Sequence, residues 1–194
     1  MSIMSATIPP KKRATVDEFL ARVANHDRVE LVDGEIVEQA ISGAAHSLAM
    51  AAVTDTLHPF RRKPGDPRGL GGWWLCIDLG IQYPNGDIYA HDLSGFRRDQ
   101  HAGPPEGFPV ELRPDWACEV LSHDKRDLVV KPRTLHAARV PHYWVIDHVQ
   151  KLLFVHRWSP DGYVVALRAS AGDTARAEPF DAIEIQVSDL FGDD

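Results

Sequence analysis

Hydrophobic residues follow two different periods along this chain, and together they predict helices and strands in mixed order. Apolar residues at helical spacing predict two helices, over residues 16–24 and 44–60. The dipeptide Asp33-Gly34 favours a tight turn between two short strands of an N-terminal hairpin, residues 28–38. Runs rich in β-branched and aromatic residues predict further strands, at residues 73–81, 87–96, 151–157, 163–167 and 182–187. The strands at 151–157 and 163–167 are expected to pair.

Residues 114–147 carry the most informative pattern, which reads as strand, polar loop, short helix and strand. Its first strand is apolar at both odd and even positions, as in a strand buried inside a sheet, and Glu119 alone interrupts it. An ionised carboxylate in such a strand needs a cation or strong hydrogen bonds. We interpret Glu119 as a metal ligand completed by a cation from the following segment. A structural ion pair with one of its bases is the alternative. These bases are Lys125, Arg126, Lys131 and Arg133.

Asp92 is the second carboxylate of interest, because it lies inside the strand predicted at 87–96. Aspartate is disfavoured in strands, so a functional reason for its presence is worth testing. The alternative is an aspartate that ends the strand at a bend before Ser94-Gly95.

Length and composition predict one domain, residues 15–194, preceded by a disordered tail, residues 1–14. The net charge of −7 argues against non-specific coating of DNA, although a local basic groove remains compatible with it. Cys76 and Cys118 are the only cysteines, and both are interpreted as small buried residues in a reducing compartment. No apolar run is long enough for a membrane span or a secretory signal. We therefore expect a cytoplasmic protein without a membrane partner.

Several segments, taken in order, resemble the Uma-type restriction endonuclease family, a branch of the PD-(D/E)XK nuclease superfamily. The resemblance implies a restriction-endonuclease-like α/β (α+β) fold, in which helices flank a mixed central sheet. It also implies hydrolysis of phosphodiester bonds in DNA with a divalent metal, Mg²⁺ or alternatively Mn²⁺. A homodimer is compatible with such an activity, because two cuts need two sites. The matching segments are VELVDGEIVE at 29–38, His46, the strand that holds Asp92, PDWACEVLS at 114–122, RDLVVK at 126–131, VPHYWVID at 140–147, and the closing GDT and DLF.

Carried over residue by residue, the resemblance gives Asp92 the place of the first metal-binding acid and Glu119 that of the second. The superfamily's lysine normally follows two residues later, where this chain has Leu121. The resemblance then implies a displaced catalytic lysine on the next helix, Lys131. The backbone carbonyl of Val120 is expected to complete the metal ligands.

The chain departs from the family pattern at three positions. His91 and His123 stand where prolines are expected, and Pro132 directly follows Lys131. A helix capped by Asp127 would place Pro132 where its ring clashes with an earlier carbonyl. A helix beginning at Pro132 would leave Lys131 on the cap, with Lys125 as the substitute cation.

Other functions stay open at this point. Two imidazoles beside two carboxylates would suit Zn²⁺ or Mn²⁺ instead of Mg²⁺, in a site made of His91, Asp92, Glu119 and His123. A catalytically degenerate module that binds nucleic acid or a protein partner without cleavage is a second class. Its phosphate contacts would come from Arg61, Arg62, Lys63 and Arg68, with Trp73 or Trp74 stacking on bases. An oligomeric scaffold is a third class, without a specific sign in the sequence.

Overall fold

The computed structural model describes residues 12–64, 70–121 and 126–192. Most of the tail predicted at 1–14 lies outside these ranges, as do Arg68, His123 and Lys125. The single domain over residues 15–194 stays a prediction. Among the described residues, no helix is both long and apolar enough to cross a membrane.

A mixed sheet of eight strands dominates the described part of the chain. The strands are β1 (Val29–Val32), β2 (Glu35–Glu38), β3 (Trp73–Gln82), β4 (Ile88–Arg97), β5 (Trp116–Val120), β6 (His142–Asp147), β7 (Leu152–Ser159) and β8 (Gly162–Ser170). They follow the order β2-β1-β4-β5-β6-β7-β8, and β3 pairs with β4 on the side away from β1 and β5. All neighbouring strands are antiparallel except β5 and β6, which are parallel.

Helices cover both faces of this sheet, so the predicted mixed sheet flanked by helices is confirmed. The helices are α1 (Val16–Ala24), α2 (Ala44–Thr56), α3 (Arg126–Val129) and α4 (Lys131–Ala137), with 3-10 turns at His58–Arg61 and Val187–Leu190. One face of the sheet packs against α2 and the C-terminal segment, where two-residue strands β9 (Thr174–Ala175) and β10 (Ile185–Gln186) pair with each other. The other face packs against α4.

Local sequence signals explain where several elements begin and end. Thr15 and Glu18 form a capping box at the start of α1, each side chain accepting from the other's backbone N–H. The helix predicted at 44–60 instead ends at Thr56 and continues as a 3-10 turn that contains Pro59. A proline cannot donate the backbone hydrogen bond of a continuing α-helix, so a new turn begins there.

The structure differs from two expectations: the burial of Cys76, and the alternative in which a strand ends at Asp92. Cys118 is buried as predicted, but Cys76 is only partly buried; both cysteines are free thiols. The predicted alternative of a strand that ends at Asp92 is wrong, because β4 continues to Arg97 and pairs with β3 on both sides of Asp92.

Candidate active site

Asp92 and Glu119 lie where two adjacent strands stop pairing. The β4–β5 ladder runs from Gly95↔Trp116 to Leu93↔Cys118, so Asp92 and Glu119 are the next opposite positions. There the Asp92 carboxylate, and no longer a backbone carbonyl of β4, accepts the backbone N–H of Val120 at 2.8 Å. The two acids and Val120 line one cleft. The chain thus brings together the three residues proposed as metal ligands.

An irregularity in β4 explains how Asp92 turns toward this cleft. Tyr89 belongs to the core beneath α4, whereas Leu93, four residues later, belongs to the core beneath α2. In a regular strand, residues four apart point to the same face of the sheet. Because Tyr89 and Leu93 point to opposite faces, the in-and-out alternation of side chains reverses between them. Opposite this point, Asp78 adopts a left-handed backbone with φ of 50°, and the β3–β4 ladder keeps its register but lacks the Asp78–Asp92 pair. This local break in the ladder lies where Asp92 turns toward the cleft.

Lys131 reaches Glu119 despite the proline that follows it. The segment forms two short helices: α3 ends at Val129, and Lys131 is the first residue of α4. Pro132 then lies in the first turn of α4, where its missing N–H costs no helical hydrogen bond. The Lys131 Nζ atom lies 3.1 Å from Glu119 Oε2, and only 5% of the side chain is exposed. Lys125, the substitute cation, lies outside the described residues.

Two further carboxylates hold the same ammonium group. Lys131 Nζ lies 3.2 Å from Glu30 Oε1 and 3.1 Å from Asp127 Oδ1. Glu30 also accepts the backbone N–H of Ala90 at 3.1 Å and pairs with Arg126 at 3.4 Å. Lys131 is therefore fixed from the hairpin, from β5 and from α3 at once.

The electrostatics of this cluster favour entry of a positive charge. Burial raises the pKa of Glu119 well above its usual range, with Lys131 opposing and the neighbouring carboxylates adding to the rise. Burial also raises the pKa of Asp127. Burial alone would lower the pKa of Lys131, but Glu119, Glu30 and Asp127 together raise it well above its usual range. Three carboxylates, Glu30, Glu119 and Asp127, thus face two cations, the Lys131 ammonium and the Arg126 guanidinium, and Asp92 adds further negative charge.

His91 contacts Glu119 through one ring nitrogen and Tyr83 through the other. Its Nδ1 atom lies 2.5 Å from Glu119 Oε1, and its Nε2 atom lies 2.6 Å from the Tyr83 hydroxyl. Because both nitrogens are engaged by side chains, His91 has none to offer a metal, which counts against the zinc hypothesis. The other imidazole of that hypothesis, His123, lies outside the described residues.

His46 also reaches the site, from the first turn of α2. Its Nε2 atom lies 3.1 Å from Asp92 Oδ2. The hydrogen bond to Asp92 raises the pKa of His46. His46 is thus a second neighbour of the Asp92 carboxylate, after the backbone of Val120.

The two tryptophans expected to stack on bases in a non-catalytic binding module are less exposed than that function requires. Trp73 is buried in the core, where it packs against Phe180. Trp74 is partly buried beneath the guanidinium of Arg98, 4.9 Å from the ring centroid. Neither ring is presented openly for base stacking.

The sequence did not predict that Glu30 and Asp127 would contact Lys131, or that His91 would contact Glu119. The signal for Glu30 was the same as for Glu119: a carboxylate within an apolar run, here Val29-Glu30-Leu31-Val32, which is buried throughout. Nothing in the spacing indicated that it would meet a lysine about a hundred residues later. His91 was noted as a departure from the family pattern and as a candidate zinc ligand, but not as a hydrogen-bond partner of Glu119.

The chain is similar to known proteins in both sequence family and fold. A model of the Uma2 family, described as putative restriction endonuclease, matches residues 16–188. The chain belongs to this family. A similar solved structure is that of a putative nuclease belonging to DUF820 from Anabaena variabilis ATCC 29413, with a TM-score of 0.69 and 18% sequence identity over 91% of this chain and 97% of that chain. At this identity the likeness establishes the shared fold. No curated protein matches the chain.

The donor set suits a hard, oxygen-seeking cation more than a zinc ion. Within residues 12–64, 70–121 and 126–192, no three His, Cys, Asp or Glu side chains form a ready metal-binding group. Asp92 and Glu119 instead offer two carboxylates beside the backbone of Val120, in a cleft with excess negative charge. Mg²⁺ is commonly bound through one or two carboxylates and keeps several waters. The residues therefore fit Mg²⁺.

Proposed function

We propose that this Uma2 family protein is a metal-dependent endonuclease that hydrolyses phosphodiester bonds in DNA. Family and fold support a nuclease. The observation that carries the finer proposal is the meeting of Asp92, Glu119 and Lys131, with Lys131 Nζ 3.1 Å from Glu119. Two acids and a lysine in one cleft are the groups that metal-assisted phosphate hydrolysis requires.

In this proposal Asp92, Glu119 and the carbonyl of Val120 hold Mg²⁺, and Mn²⁺ is an acceptable substitute. When bound, the metal supplies a Lewis acid that polarises a phosphoryl oxygen and lowers the pKa of a water molecule. The side chains prepare this site by their charge: Glu119 and Asp92 attract the cation, and Lys131 limits their mutual repulsion.

Lys131 is proposed as the catalytic cation. Its ammonium lies beside Glu119 and would stabilise negative charge that develops on the phosphate during hydrolysis. Glu30 and Asp127 keep it in place, so little reorganisation accompanies the reaction. Arg28 and Arg126 line the same cleft and are proposed to bind neighbouring phosphates.

Cleavage of supercoiled plasmid in Mg²⁺ and separately in Mn²⁺ tests this proposal. Wild-type protein should nick or linearise the plasmid, whereas Glu119→Gln should lose at least about a hundredfold in rate. Glu111→Gln is the matched control, because Glu111 is exposed and lies outside the cleft. Equal cleavage by wild type and Glu119→Gln would reject the assignment.

The same assay separates the non-catalytic alternative. Salt-sensitive DNA binding without cleavage in any divalent metal would favour a degenerate module.

A homodimer and a cytoplasmic location stay proposals from the sequence, the first because cutting both strands needs two sites. Gel filtration with light scattering, with and without DNA, tests the dimer.

A further inference from the structure

A buried chain of polar side chains leads from the core to the Glu119 carboxylate. The Tyr83 hydroxyl lies 2.6 Å from His91 Nε2, and His91 Nδ1 lies 2.5 Å from Glu119 Oε1. The three residues are 3%, 0% and 2% exposed, so water does not compete for these contacts. The rings of Tyr83 and His91 meet edge to face, with centroids 5.9 Å apart.

The two oxygens of Glu119 have separate partners. Oε2 faces the ammonium of Lys131 at 3.1 Å, and Oε1 faces the imidazole of His91. When Glu119 is ionised, as it must be to hold a metal, its oxygens can only accept hydrogen bonds, so the His91 Nδ1 atom carries the proton. Nε2 is then an acceptor, and the Tyr83 hydroxyl donates to it. With this direction, both ring nitrogens of His91, the Tyr83 hydroxyl and Glu119 Oε1 each have a hydrogen-bond partner.

We propose that His91 and Tyr83 are positioning residues, which fix the Glu119 carboxylate in the orientation that binds the metal. This inference rests on the proposed function. His91 locks the plane of the carboxylate through Oε1, and Tyr83 locks the tautomer and ring orientation of His91. Partners that orient a metal ligand in this way typically change metal affinity or activity about 10–100-fold when removed.

Three variants separate positioning from packing. His91→Leu keeps an apolar side chain in the cavity but removes the donor to Glu119. His91→Asn places an amide N–H near the position of Nδ1 and should restore that donor. Tyr83→Phe keeps the ring and removes only the hydroxyl. His101→Leu is the matched control, because His101 makes a similar 3.0 Å contact with the buried carboxylate of Asp115 outside the cleft.

Calorimetric titration with Mn²⁺ and plasmid cleavage across Mn²⁺ concentrations give two independent readouts. His91→Leu should weaken Mn²⁺ binding about tenfold or more and raise the half-saturating Mn²⁺ concentration equally, with Tyr83→Phe showing a smaller effect. His91→Asn should recover most of the loss, and His101→Leu should match wild type. Thermal unfolding and circular dichroism identify any variant that fails to fold, and Tyr83→Phe then carries the comparison.

Wild-type Mn²⁺ affinity and cleavage in both His91→Leu and Tyr83→Phe would overturn the positioning role while leaving the proposed nuclease intact. A wild-type protein that neither binds Mn²⁺ nor cleaves DNA would overturn the proposed function itself, and the positioning role with it. Nitrogen-15 spectra of the histidine side chains with Mg²⁺ present give a direct check. His91 should carry its proton on Nδ1, and a proton on Nε2 would contradict the proposal.

Discussion

At the scale of single residues, Lys131 decides whether the cluster of acids is stable. Its ammonium lies within 3.2 Å of Glu30, Glu119 and Asp127, and all four side chains are nearly inaccessible to solvent. Carboxylates buried in this way are costly without a cation, so the lysine serves stability as well as the proposed chemistry.

Replacing this cation should therefore weaken the fold. Lys131→Met should lower the free energy of unfolding by about 3–5 kcal/mol at pH 7, because three carboxylates lose their buried partner. Urea denaturation measures the change, and exposed Lys63→Met should stay within about 0.5 kcal/mol of wild type. A loss below about 1 kcal/mol for Lys131→Met would show that water reaches the cluster.

The raised pKa of Glu119 predicts a pH-dependent contribution to stability. Because burial raises the pKa above its ordinary value of 4.5, the folded state holds the proton more tightly than the unfolded state. Glu119 therefore lowers the free energy of unfolding progressively as the pH rises above 4.5, until the folded pKa is reached.

Glu119→Gln removes this titration, so without metal the variant should gain stability over wild type as the pH rises above 4.5. The difference should grow by at most about 1.4 kcal/mol per pH unit. Urea denaturation of both proteins at several pH values measures it. A difference that stays flat or shrinks with pH would contradict the raised pKa.

At the scale of elements, the break between α3 and α4 brings Lys131 to Glu119. A continuous helix would have driven the Pro132 ring into the preceding turn. Two helices joined at Val130 place the proline in a first turn and keep Asp127 and Lys131 in contact. The sequence was compatible with a helix capped by Asp127 and with a helix beginning at Pro132. It could not distinguish them, because ion pairs with residues on distant strands fix the position of Lys131.

Pro132→Ala tests how far the break depends on the proline. The alanine should cost about 0.4–1 kcal/mol of stability, because the unfolded chain gains freedom that the proline had removed. Cleavage should stay within about threefold of wild type, since the three ion pairs still hold Lys131. Plasmid cleavage and thermal unfolding measure both quantities. A tenfold loss of cleavage in a folded protein would show that the proline itself positions the lysine.

At the scale of the whole molecule, local patterns predicted most elements, because helix caps, turns and apolar runs are local signals. The N-terminal hairpin, β3, β4, β5 and the paired strands β7 and β8 all follow from such signals. The contacts of Glu30 with Lys131 and of His91 with Tyr83 did not follow. The first depends on strand order, and the second on the change of phase in β4.

The net charge of −7 predicts weak electrostatic attraction to DNA outside the cleft. Binding of the Glu119→Gln variant should fall only about 10–50-fold between 50 and 200 mM salt, as two or three phosphate contacts imply. Fluorescence anisotropy with a labelled duplex measures this. A fall of about a thousandfold or more would reveal a larger basic surface, such as one completed by a second subunit.

The most direct test of the central claim is the location of a bound metal. Crystals soaked in Mn²⁺ should give an anomalous difference peak between the carboxylates of Asp92 and Glu119, at about 2.0–2.3 Å from their oxygens. The peak should disappear in crystals of Glu119→Gln. Wild-type crystals without a peak at these two acids, in a protein that still cleaves DNA, would contradict the account.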